Sequence, residues 1–528
     1  IFRNWFKDQP EIRTRFDPAQ LWEEYRGVLR GSSESNGKFL DLYLYQSLPE
    51  RRGVFEKSDR EIVHGILGKF DIYVKRERFW LDQELAARIL MLKSEEKMSH
   101  IYVDEVQDLT ELQTRVLISR LPDSKNDIVF DLTGDVSQQV YPSGFRWEDI
   151  GRMLFDLRGI NIRKSKPLNI NYRSGKNLIE LANWVLKEMD ERNRIIGEEL
   201  QQAYAANDGA MPSVISATKK QLIRKMVEVG VPKAHSPIIA RDLFQVQEIQ
   251  ELIDEAKTQA GQFTEDGSRR EFVFTVSEAK GLEFPHVILW DIGRGSDSLL
   301  KRTYHEKKGE YLDEEMWNIQ LELRHLFVGI TRARVLLLSL TPIDDIEYEK
   351  LDGNPLDDEL LSEMKWVRGK DSDFIQIAEV SVDSEALLKM AESYASQDMY
   401  EAAYAAAQEA GEEEIAQRYK IQSHRQRGEF ILGSRAARNL GEYTQAMDLA
   451  KRGLEIDPEN EDAAGLLEEI YEILGLNEDA LLLRAKRNFR NAERQKNKQT
   501  SVFFYTQAAE EWDEIGHYKL SSVSWSMA

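Results

Sequence analysis

Short runs of β-branched and other apolar residues between about residue 98 and residue 345 constrain the fold of this chain most strongly. Several runs are almost unbroken by polar residues, as expected of strands that are covered on both faces. The runs are IYVDEV (101–106), DIVFDLTGD (127–135), PSVISAT (212–218), SPIIARD (236–242), FVFTV (272–276) and HVILWDI (286–292). Amphipathic segments alternate with them, so the sequence predicts an α/β fold around a mostly parallel sheet.

The residues on either side of this α/β part have helical patterns. Residues 1–97 carry amphipathic segments such as SDREIVHGILGKF, in which Ser58 is the predicted N-cap. After about Pro342 a polar linker, residues 346–382, leads into an Ala- and Glu-rich helical region, residues 383–528. The pattern therefore predicts an α/β part between a helical N-terminal segment and an all-α C-terminal region.

An internal repeat is visible in the C-terminal region. NLGEYTQA (439–446) and ILGLNEDA (473–480) align at a spacing of 473 − 439 = 34 residues, so that Gly441 corresponds to Gly475. Pro458 closes the first copy. A 34-residue period with small residues at helix contacts and a closing proline is the tetratricopeptide (TPR) pattern. A plain array of helical hairpins is the alternative.

The composition limits the partners and the compartment of the chain. With 71 Lys and Arg against 93 Asp and Glu, the formal charge is −22, so contact with nucleic acid requires a local basic or aromatic groove. The absence of cysteine excludes disulfides and fits an intracellular protein, nuclear or cytoplasmic. No apolar run approaches the ~18 residues of a transmembrane helix, so no membrane partner is expected. The chain begins at Ile1 without a signal peptide, and we expect it to be part of a longer protein.

The segment HIYVDEVQDLT (100–110) ends an apolar strand in three closely spaced carboxylates. Like charges this close repel each other, and their burial is costly unless a cation compensates. Parallel sheets bind ligands at the carboxyl ends of their strands. Hydrolysis of a nucleoside triphosphate needs one carboxylate that binds Mg²⁺ and a second that activates water, and adjacent residues suit both tasks. A solvent-exposed strand end is the alternative.

With four further segments in the same order, the chain resembles superfamily 1 helicases of the UvrD/Rep type. DEVQD resembles motif II of that family. The segments that resemble motifs III to VI are LTGDVSQQVYPSGFRWEDI (132–150), LNINYRS (168–174), FTVSEAKGLEFPHVIL (274–289) and LFVGITRARVLLL (326–338). FRWEDI and SEAKGLEFPHVIL are most similar to a subgroup, the TPR and ankyrin repeat-containing proteins and fungal UvrD-like helicases, whose C-terminal repeats agree with the pattern of residues 383–528.

The resemblance implies two RecA-like P-loop NTPase domains. Residues 98–160 would be the remainder of domain 1A, with motifs II and III, and residues 161–345 would be domain 2A, with motifs IV, V and VI. Residues 1–97 would form a helical 1B-like segment. Only KTQAGQFTEDGSRRE (257–271) separates a predicted strand and helix from motif V, so the 2B subdomain of relatives would be essentially absent.

The resemblance also implies ATP and Mg²⁺ as cofactors and assigns roles to individual residues. Glu105 would be the general base, and Gln138 would sense the γ-phosphate and the attacking water. Arg173 and Arg332 would be arginine fingers, which neutralise charge on the γ-phosphate. The Mg²⁺ ligands would be Asp104 and Glu105, and the other nucleotide contacts Asp108, Lys280, Gly281 and Glu283, the last on the ribose.

Single-stranded nucleic acid is the polymer that the resemblance implies, with DNA favoured over RNA and movement from 3′ to 5′. The residues implied to contact it are Tyr141, Phe145, Arg146 and Thr275. Stacking of bases on aromatic side chains does not require a basic surface, which is compatible with the acidic chain. The C-terminal repeats imply a protein partner in addition.

The chain departs from the family pattern in its phosphate loop. GSSESNGKF (31–39) and GILGKF (65–70) contain Gly and Lys, but their spacing is wrong and Phe follows each Lys. We expect the Gly-Lys-Thr loop to lie upstream of Ile1. Ser277 also stands where many relatives carry a histidine that touches DNA.

A catalytically reduced, helicase-derived scaffold is the alternative function, with the repeats mediating protein–protein interaction. The acidic charge and the missing phosphate loop favour it, whereas the set of motif residues argues for an ATP-dependent translocase or helicase. RAKRNFRNAERQKNK (484–498) is a basic run in the acidic C-terminal region. A solvated helix face is favoured there over a phosphate-binding site.

Overall fold

The computed structural model describes residues 2–13, 16, 18–49, 52–92, 97–122, 128–138, 147–161, 170–193, 202–203, 209–260, 272–292, 313–342, 361–362, 365–379, 382–495 and 497–528. The chain forms two compact units: residues 1–265 with 272–380, and residues 266–271 with 381–528. None of the described helices combines the length and the apolar character that membrane crossing requires.

The first unit begins with a helical segment. Its helices are α1 (Phe2–Lys7), α2 (Pro10–Arg13), α3 (Pro18–Glu23), a π-helix (Glu24–Leu29), α4 (Leu42–Ser47), α5 (Lys57–Arg76) and α6 (Asp82–Met91). An aromatic core holds them together: the ring of Phe70 on α5 lies 4.8 Å from that of Phe2 and 4.9 Å from that of Tyr25. The prediction of Ser58 as an N-cap is wrong, because α5 begins at Lys57 and Ser58 lies inside it. The N-cap residue is Glu56, which makes no side-chain capping bond. Packing of the apolar face, rather than a cap, stabilises this helix.

A buried polar network lies beside the aromatic core. The hydroxyl of Tyr25 donates to Asp71 at 2.9 Å, and Arg30 Nε donates to the same carboxylate at 2.8 Å. Glu24 accepts hydrogen bonds at 2.5 Å from both the Tyr45 hydroxyl and the Val54 amide. Burial nevertheless raises the pKa of Glu24 to about 7, although these hydrogen bonds and the charge of Arg60 lower it.

Two parallel strands follow the helical segment. The elements are β1 (His100–Val103), α7 (Glu111–Arg120), β2 (Val129–Leu132) and α8 (Trp147–Arg158). Ile101 pairs with Phe130, and Ile101 packs in a core with Ile118 and Ile150. Strand β1 is shorter than the apolar run that predicted it, because the chain turns after Val103.

A six-stranded parallel sheet forms the rest of the first unit. The elements in chain order are β3 (Ile170–Asn171), α9 (Lys176–Asn193), β4 (Gln202–Ala203), β5 (Ser213–Ala217), α10 (Lys219–Glu228), β6 (Ile238–Ala240), α11 (Leu243–Gln259), β7 (Val273–Thr275), α12 (Val276–Ala279), β8 (Phe284–Trp290), α13 (Asp313–Arg332), β9 (Ala333–Pro342), β10 (Val367–Arg368) and α14 (Asp371–Ala378). The strand order is β10-β5-β9-β8-β6-β7, and β3 pairs with β4 separately. All described strand pairs are parallel. The predicted α/β class with a parallel sheet is confirmed for this unit.

Strand β8 shows why the apolar runs are unbroken. Val287, Ile288 and Leu289 are completely buried, although their side chains alternate between the two faces of the sheet. Helices therefore cover both faces, as the sequence predicted.

Part of the predicted linker 346–382 also belongs to this unit, because Val367 extends the sheet beside Ser213 and Phe374 of α14 is buried in the core. Two buried apolar side chains of α14, Phe374 and Ile377, attach this segment to the core of the unit.

The second unit is entirely helical within its described residues. Its helices are α15 (Ser384–Ser396), α16 (Tyr400–Glu409), α17 (Glu413–Arg427), α18 (Phe430–Asn439), α19 (Tyr443–Ile456), α20 (Glu461–Ile473), α21 (Asn477–Arg494), α22 (Lys498–Glu514) and α23 (Tyr518–Met527). Each helix contacts the next in the chain. The predicted helical region is thus confirmed as a series of antiparallel hairpins.

One tight turn recurs between the helices of this unit. In the α18–α19 turn, the Gly441 amide donates to Arg438 O and the Glu442 amide donates to Ala437 O, which is the Schellman arrangement. The residues with positive φ at the equivalent positions are Asp398, Gly411, Gly428, Gly441, Gly475 and Gly516. The residue five positions later is always small and buried: Ala403, Ala416, Gly433, Ala446, Ala480 and Ser521. The sequence alignment of Gly441 with Gly475 reflects this shared turn.

The basic run on α21 forms ion pairs with the preceding helix. Arg484 pairs with Glu468 and Glu472 of α20, each at 2.5 Å, and Arg487 pairs with Glu468 at 3.0 Å. These two arginines therefore neutralise the acidic face of α20, whereas Lys486 and Lys498 of the same run are exposed, as the sequence predicted for a solvated face.

The recurring turn predicts opposite effects for two glycine substitutions. Gly441→Ala places a side chain at φ +81°, which should destabilise the α18–α19 hairpin by about 1–2 kcal/mol. Gly465→Ala lies inside α20, with its nearest neighbour at 3.8 Å, and should stabilise locally by about 0.4–1 kcal/mol. Hydrogen exchange of the amides in α18 to α20 measures both effects. Equal exchange in the two variants would contradict the assigned turn.

Glu24 predicts a pH-dependent stability for the helical segment. Its pKa is raised in the folded state, so the proton is bound more tightly there than in the unfolded chain. The stability that this carboxyl contributes is present below about pH 4.5 and is lost, on the order of 3 kcal/mol, as the pH rises towards about 7. We expect Glu24→Gln to remove this slope in urea unfolding between pH 5 and pH 8. The exposed Glu61→Gln is the control, and a slope that survives Glu24→Gln would contradict the assignment.

Candidate active site

The carboxyl end of β1 forms an acidic turn. Asp104 follows the last strand residue, and its Oδ1 accepts hydrogen bonds from the Glu105 amide at 2.9 Å and the Thr133 hydroxyl at 2.5 Å. Thr133 follows β2, the parallel neighbour of β1. Two adjacent strand ends therefore fix the orientation of the first carboxylate, and both Asp104 and Glu105 are exposed.

Glu105 has the left-handed backbone conformation, with φ 51° and ψ 41°. This conformation costs a residue with a side chain about 1–2 kcal/mol, and such costs are concentrated at functional sites. The strained residue turns the chain from β1 into a short 3₁₀ helix, Val106–Asp108. Gln107 is buried, and its side-chain Nε2 donates a hydrogen bond to the Glu105 carboxylate, which holds that carboxylate in place.

The segment after β2 is tied to the same turn. Gln107 Oε1 accepts from the Asp135 amide at 3.1 Å, and the Asp135 carboxylate accepts from Gln138 Nε2 at 2.8 Å. Gly134 permits this approach, because a Cβ atom there would lie 2.4 Å from Gln107 Oε1. The connection places Gln138 beside the carboxylates of the β1 turn.

Arg332 contacts Gln138 from α13, the helix that precedes β9 of the six-stranded sheet. It is the last residue of α13 and is 2% exposed. Its Nη2 donates to Gln138 Oε1 at 3.0 Å, its Nη1 to Leu282 O at 3.1 Å and its Nε to Val328 O at 3.2 Å. The guanidinium therefore bridges motif III to motifs V and VI.

The pKa of Arg332 is lowered to about 10, first by burial and then by the nearby charge of Arg173. The carboxylates of Glu283, Glu105 and Asp135 oppose this shift. Two guanidiniums and three carboxylates thus interact electrostatically within one site.

Arg173 and Glu283 form a second contact at this site. Arg173 Nη2 lies 2.6 Å from Glu283 Oε1, and Arg334 Nε donates to Glu283 Oε2 at 2.9 Å. Glu283 is therefore held by two arginines. The residue predicted to bind the ribose and one of the predicted fingers contact each other directly.

Lys280 and Asp108 form the third contact. Their side chains are paired, and the backbone carbonyl of Asp108 also accepts from Arg26 Nη2 at 2.9 Å. Gly281 follows with φ +78°, so the turn into β8 requires a residue without a side chain. This contact joins motif II to motif V. Arg26 is a neighbour that the motifs alone did not reveal.

The structure brings together most of the predicted site residues. They are Asp104, Glu105, Asp108, Gln138, Arg173, Lys280, Glu283 and Arg332, with Gly281 in the adjoining turn. Sequence reasoning missed Gln107, Asp135 and Arg334 as partners of these residues. Gln107 and Asp135 lie inside quoted motifs, but their role of holding other side chains has no sequence signal of its own.

Of the four predicted nucleic-acid residues, the structure describes Thr275. Tyr141, Phe145 and Arg146 lie outside the described residues. Thr275 is 4% exposed, and its hydroxyl caps α12 by accepting from the Glu278 amide at 3.2 Å. A contact between nucleic acid and this side chain would require α12 to open, so Thr275 does not enter the proposed polymer surface.

The acidic turn has the oxygen donors that Mg²⁺ prefers, but few of them. Among the described residues no cluster of three or more His, Asp or Glu side chains is arranged for a metal. Mg²⁺ commonly keeps several waters and binds one or two carboxylates together with substrate phosphates. Asp104 and Glu105 fit that partial ligand set.

The Arg332–Gln138 contact predicts a measurable coupling energy. Loss of Gln138 leaves the buried Arg332 guanidinium without one of its acceptors, so the double-mutant cycle of Arg332→Met and Gln138→Met should give about 1.5–3 kcal/mol. The exposed pair Arg224–Glu228, at 2.8 Å, is the matched control and should give about 0.3–0.5 kcal/mol. The free energy of unfolding of each variant is measured by urea titration, and amide hydrogen exchange in the six-stranded sheet monitors the unfolding. A coupling no larger than the control would refute the buried contact.

Comparison with known proteins reveals distant relatives of the chain. No protein-family model matches it. Over 399 residues it is 25% identical to TPR and ankyrin repeat-containing protein 1 of Homo sapiens, which covers 63% of this chain and 13% of that protein. Over 171 residues it is 30% identical to the ATP-dependent DNA helicase UvrD2 of Mycobacterium tuberculosis, which covers 30% of this chain and 22% of that protein.

A solved structure, the C-terminal domain of a possible DNA helicase from Lactobacillus plantarum, aligns with 33% of this chain and 88% of its own, at 15% identity. Its TM-score of 0.19 is too low to support a conclusion about the fold. The chain spans only 13% and 22% of the two curated relatives. It is distantly similar to a DNA helicase and to a TPR and ankyrin repeat-containing protein.

Proposed function

We propose that the first unit is the ATP-hydrolysing motor of a superfamily 1 translocase or helicase that acts on single-stranded nucleic acid. The observation that carries the proposal is the contact of Arg332 with Gln138 beside Glu105. A buried guanidinium that faces exposed carboxylates at a strand end has no evident use in a purely structural domain. Distant similarity to UvrD2, an ATP-dependent DNA helicase by name, supports the same reaction.

In this proposal the acidic turn and the arginines share a triphosphate. Glu105 accepts the proton of the attacking water, and Gln138 orients that water. Asp104 is on the Mg²⁺ side, and bound Mg²⁺ neutralises charge on the phosphates. Arg332 and Arg173 face the γ-phosphate, where arginine fingers in other nucleotide hydrolases contribute ~10³–10⁵ in rate.

Two ion pairs of the site suggest how nucleotide binding changes it. Glu283 holds Arg173 at 2.6 Å, and Asp108 holds Lys280. A triphosphate would compete with both carboxylates for these cations. Glu283 would then lose Arg173, keep Arg334, and have one carboxylate oxygen available to the ribose. Closure of the two RecA-like domains on nucleotide then becomes coupled to movement along the strand.

The proposed motor consists of two RecA-like domains and a helical segment. Residues 98–160 and 161–345 would be the two RecA-like domains, with residues 1–97 as the 1B-like segment. The second unit would be a TPR-like array that binds a protein partner, since its Schellman turns and buried small residues provide a regular scaffold.

The general base gives the sharpest test. We expect Glu105→Gln to reduce nucleic-acid-stimulated ATP hydrolysis at least ~10²-fold while ATP binding is retained. The assay uses the chain extended upstream to include the Gly-Lys-Thr loop that the family resemblance implies, with single-stranded DNA and RNA. Glu251→Gln, an exposed change on α11, is the control.

Wild-type turnover in Glu105→Gln would refute the assigned base. An extended wild-type chain that hydrolyses no ATP with either polymer would instead favour the scaffold function, in which the helical repeats alone act.

A further inference from the structure

A basic and aromatic groove lies on the helical N-terminal segment, outside the candidate active site. It has a volume of about 940 Å³ and is open to solvent along the α5–α6 connection. Trp80 and Phe79 line it and are 59% and 37% exposed. Two exposed aromatic rings that are adjacent in the chain and line one groove form an apolar surface, unlike the exposed aromatic residues that stand singly elsewhere.

The groove is positively charged in a strongly acidic chain. Its charged lining consists of Arg30, Lys38, Lys75, Arg78, Arg88 and one carboxylate, Glu84. Arg30 and Lys75 are paired with carboxylates of the segment itself. Among the described residues no carboxylate pairs with Lys38, Arg78 or Arg88, so their charge is available to a ligand.

Arg78 stands in a position that favours glycine. Its φ is +57°, its amide donates to Lys75 O, and the following Phe79 amide donates to Val74 O, which is a Schellman turn. The equivalent turns of the second unit are mostly made by glycine, as at Gly441. An arginine here strains the backbone, and the turn directs its side chain to the groove.

Cations and aromatic faces occur side by side in the groove. The guanidinium of Arg88 lies 5.8 Å from the centre of the Trp80 ring. A base can stack on the free part of the indole, and the phosphates on either side of that base can reach Arg78 and Lys38. An acidic peptide would satisfy the cations and leave the exposed indole unused.

We infer that this groove binds single-stranded nucleic acid, with a base on Trp80 and phosphates on Arg78 and Lys38. The inference rests on the proposed function for its choice of polymer, and it adds a polymer contact on the helical segment. It also explains how a chain of net charge −22 can hold a polyanion, because the positive charge is local.

Fluorescence anisotropy without nucleotide tests the groove separately from ATP hydrolysis. The probes are fluorescein-labelled 20-mers of deoxythymidine and of uridine, added to the whole chain. We expect Trp80→Ala to weaken binding at least fivefold and Trp80→Phe to restore most of it, because phenylalanine still stacks. We expect Arg78→Gln to lower the slope of log affinity against log salt by about one.

Matched controls are Tyr43→Ala, an exposed aromatic on α4, and Lys69→Gln, an exposed cation on α5, neither of which lines the groove. Affinity that is unchanged in both Trp80→Ala and Arg78→Gln, or absent in the wild type, would overturn the site. Equal, Trp80-dependent binding of a polyglutamate 20-mer would show a general polyanion site and overturn it as well. Loss of ATPase in Glu105→Gln with intact groove binding would separate the two proposals.

Discussion

The buried guanidinium of Arg332 is the interaction on which the candidate active site depends. Removing a cation from water is costly, and hydrogen bonds offset this cost: besides its neighbour Thr331, Arg332 donates to Gln138, Leu282 and Val328. These acceptors belong to segments that are far apart in the chain. Their alignment requires the β1–β2 pair and the six-stranded sheet to be docked, so the site exists only in the assembled first unit.

The candidate active site and the groove both hold cations in a chain whose net charge is negative. The chain has a net charge of −22, and at the candidate site carboxylates that a phosphate could replace hold the cations. Glu283 and Asp108 are the internal anions that hold Arg173 and Lys280 at the site. Arg78 and Lys38 have no such internal anion among the described residues. The α21 arginines show the opposite solution, since α20 supplies carboxylates for them.

The sequence predicted the elements better than it predicted their contacts. Unbroken apolar runs identified β8 and the parallel sheet, because burial on both faces leaves a direct composition signal. The aligned Gly441 and Gly475 indicated the repeat for a different reason: both lie at positive φ in a recurring turn, which glycine adopts without strain. The ends of helices and the boundaries of the predicted segments were less predictable. Ser58 lies inside α5, and Phe374 attaches part of the predicted linker to the sheet, since packing between distant segments decides both.

The most direct test of the account is the preference for a γ-phosphate. Isothermal titration of Mg²⁺–ATPγS and Mg²⁺–ADP measures it for the wild type and for Arg332→Gln, in a chain extended upstream to include the Gly-Lys-Thr loop that the family resemblance implies. The account predicts tighter binding of ATPγS by the wild type and similar affinities for the two nucleotides in the variant, because the guanidinium faces only the third phosphate. An unchanged preference in Arg332→Gln would contradict convergence of the acidic turn and the arginines on one triphosphate.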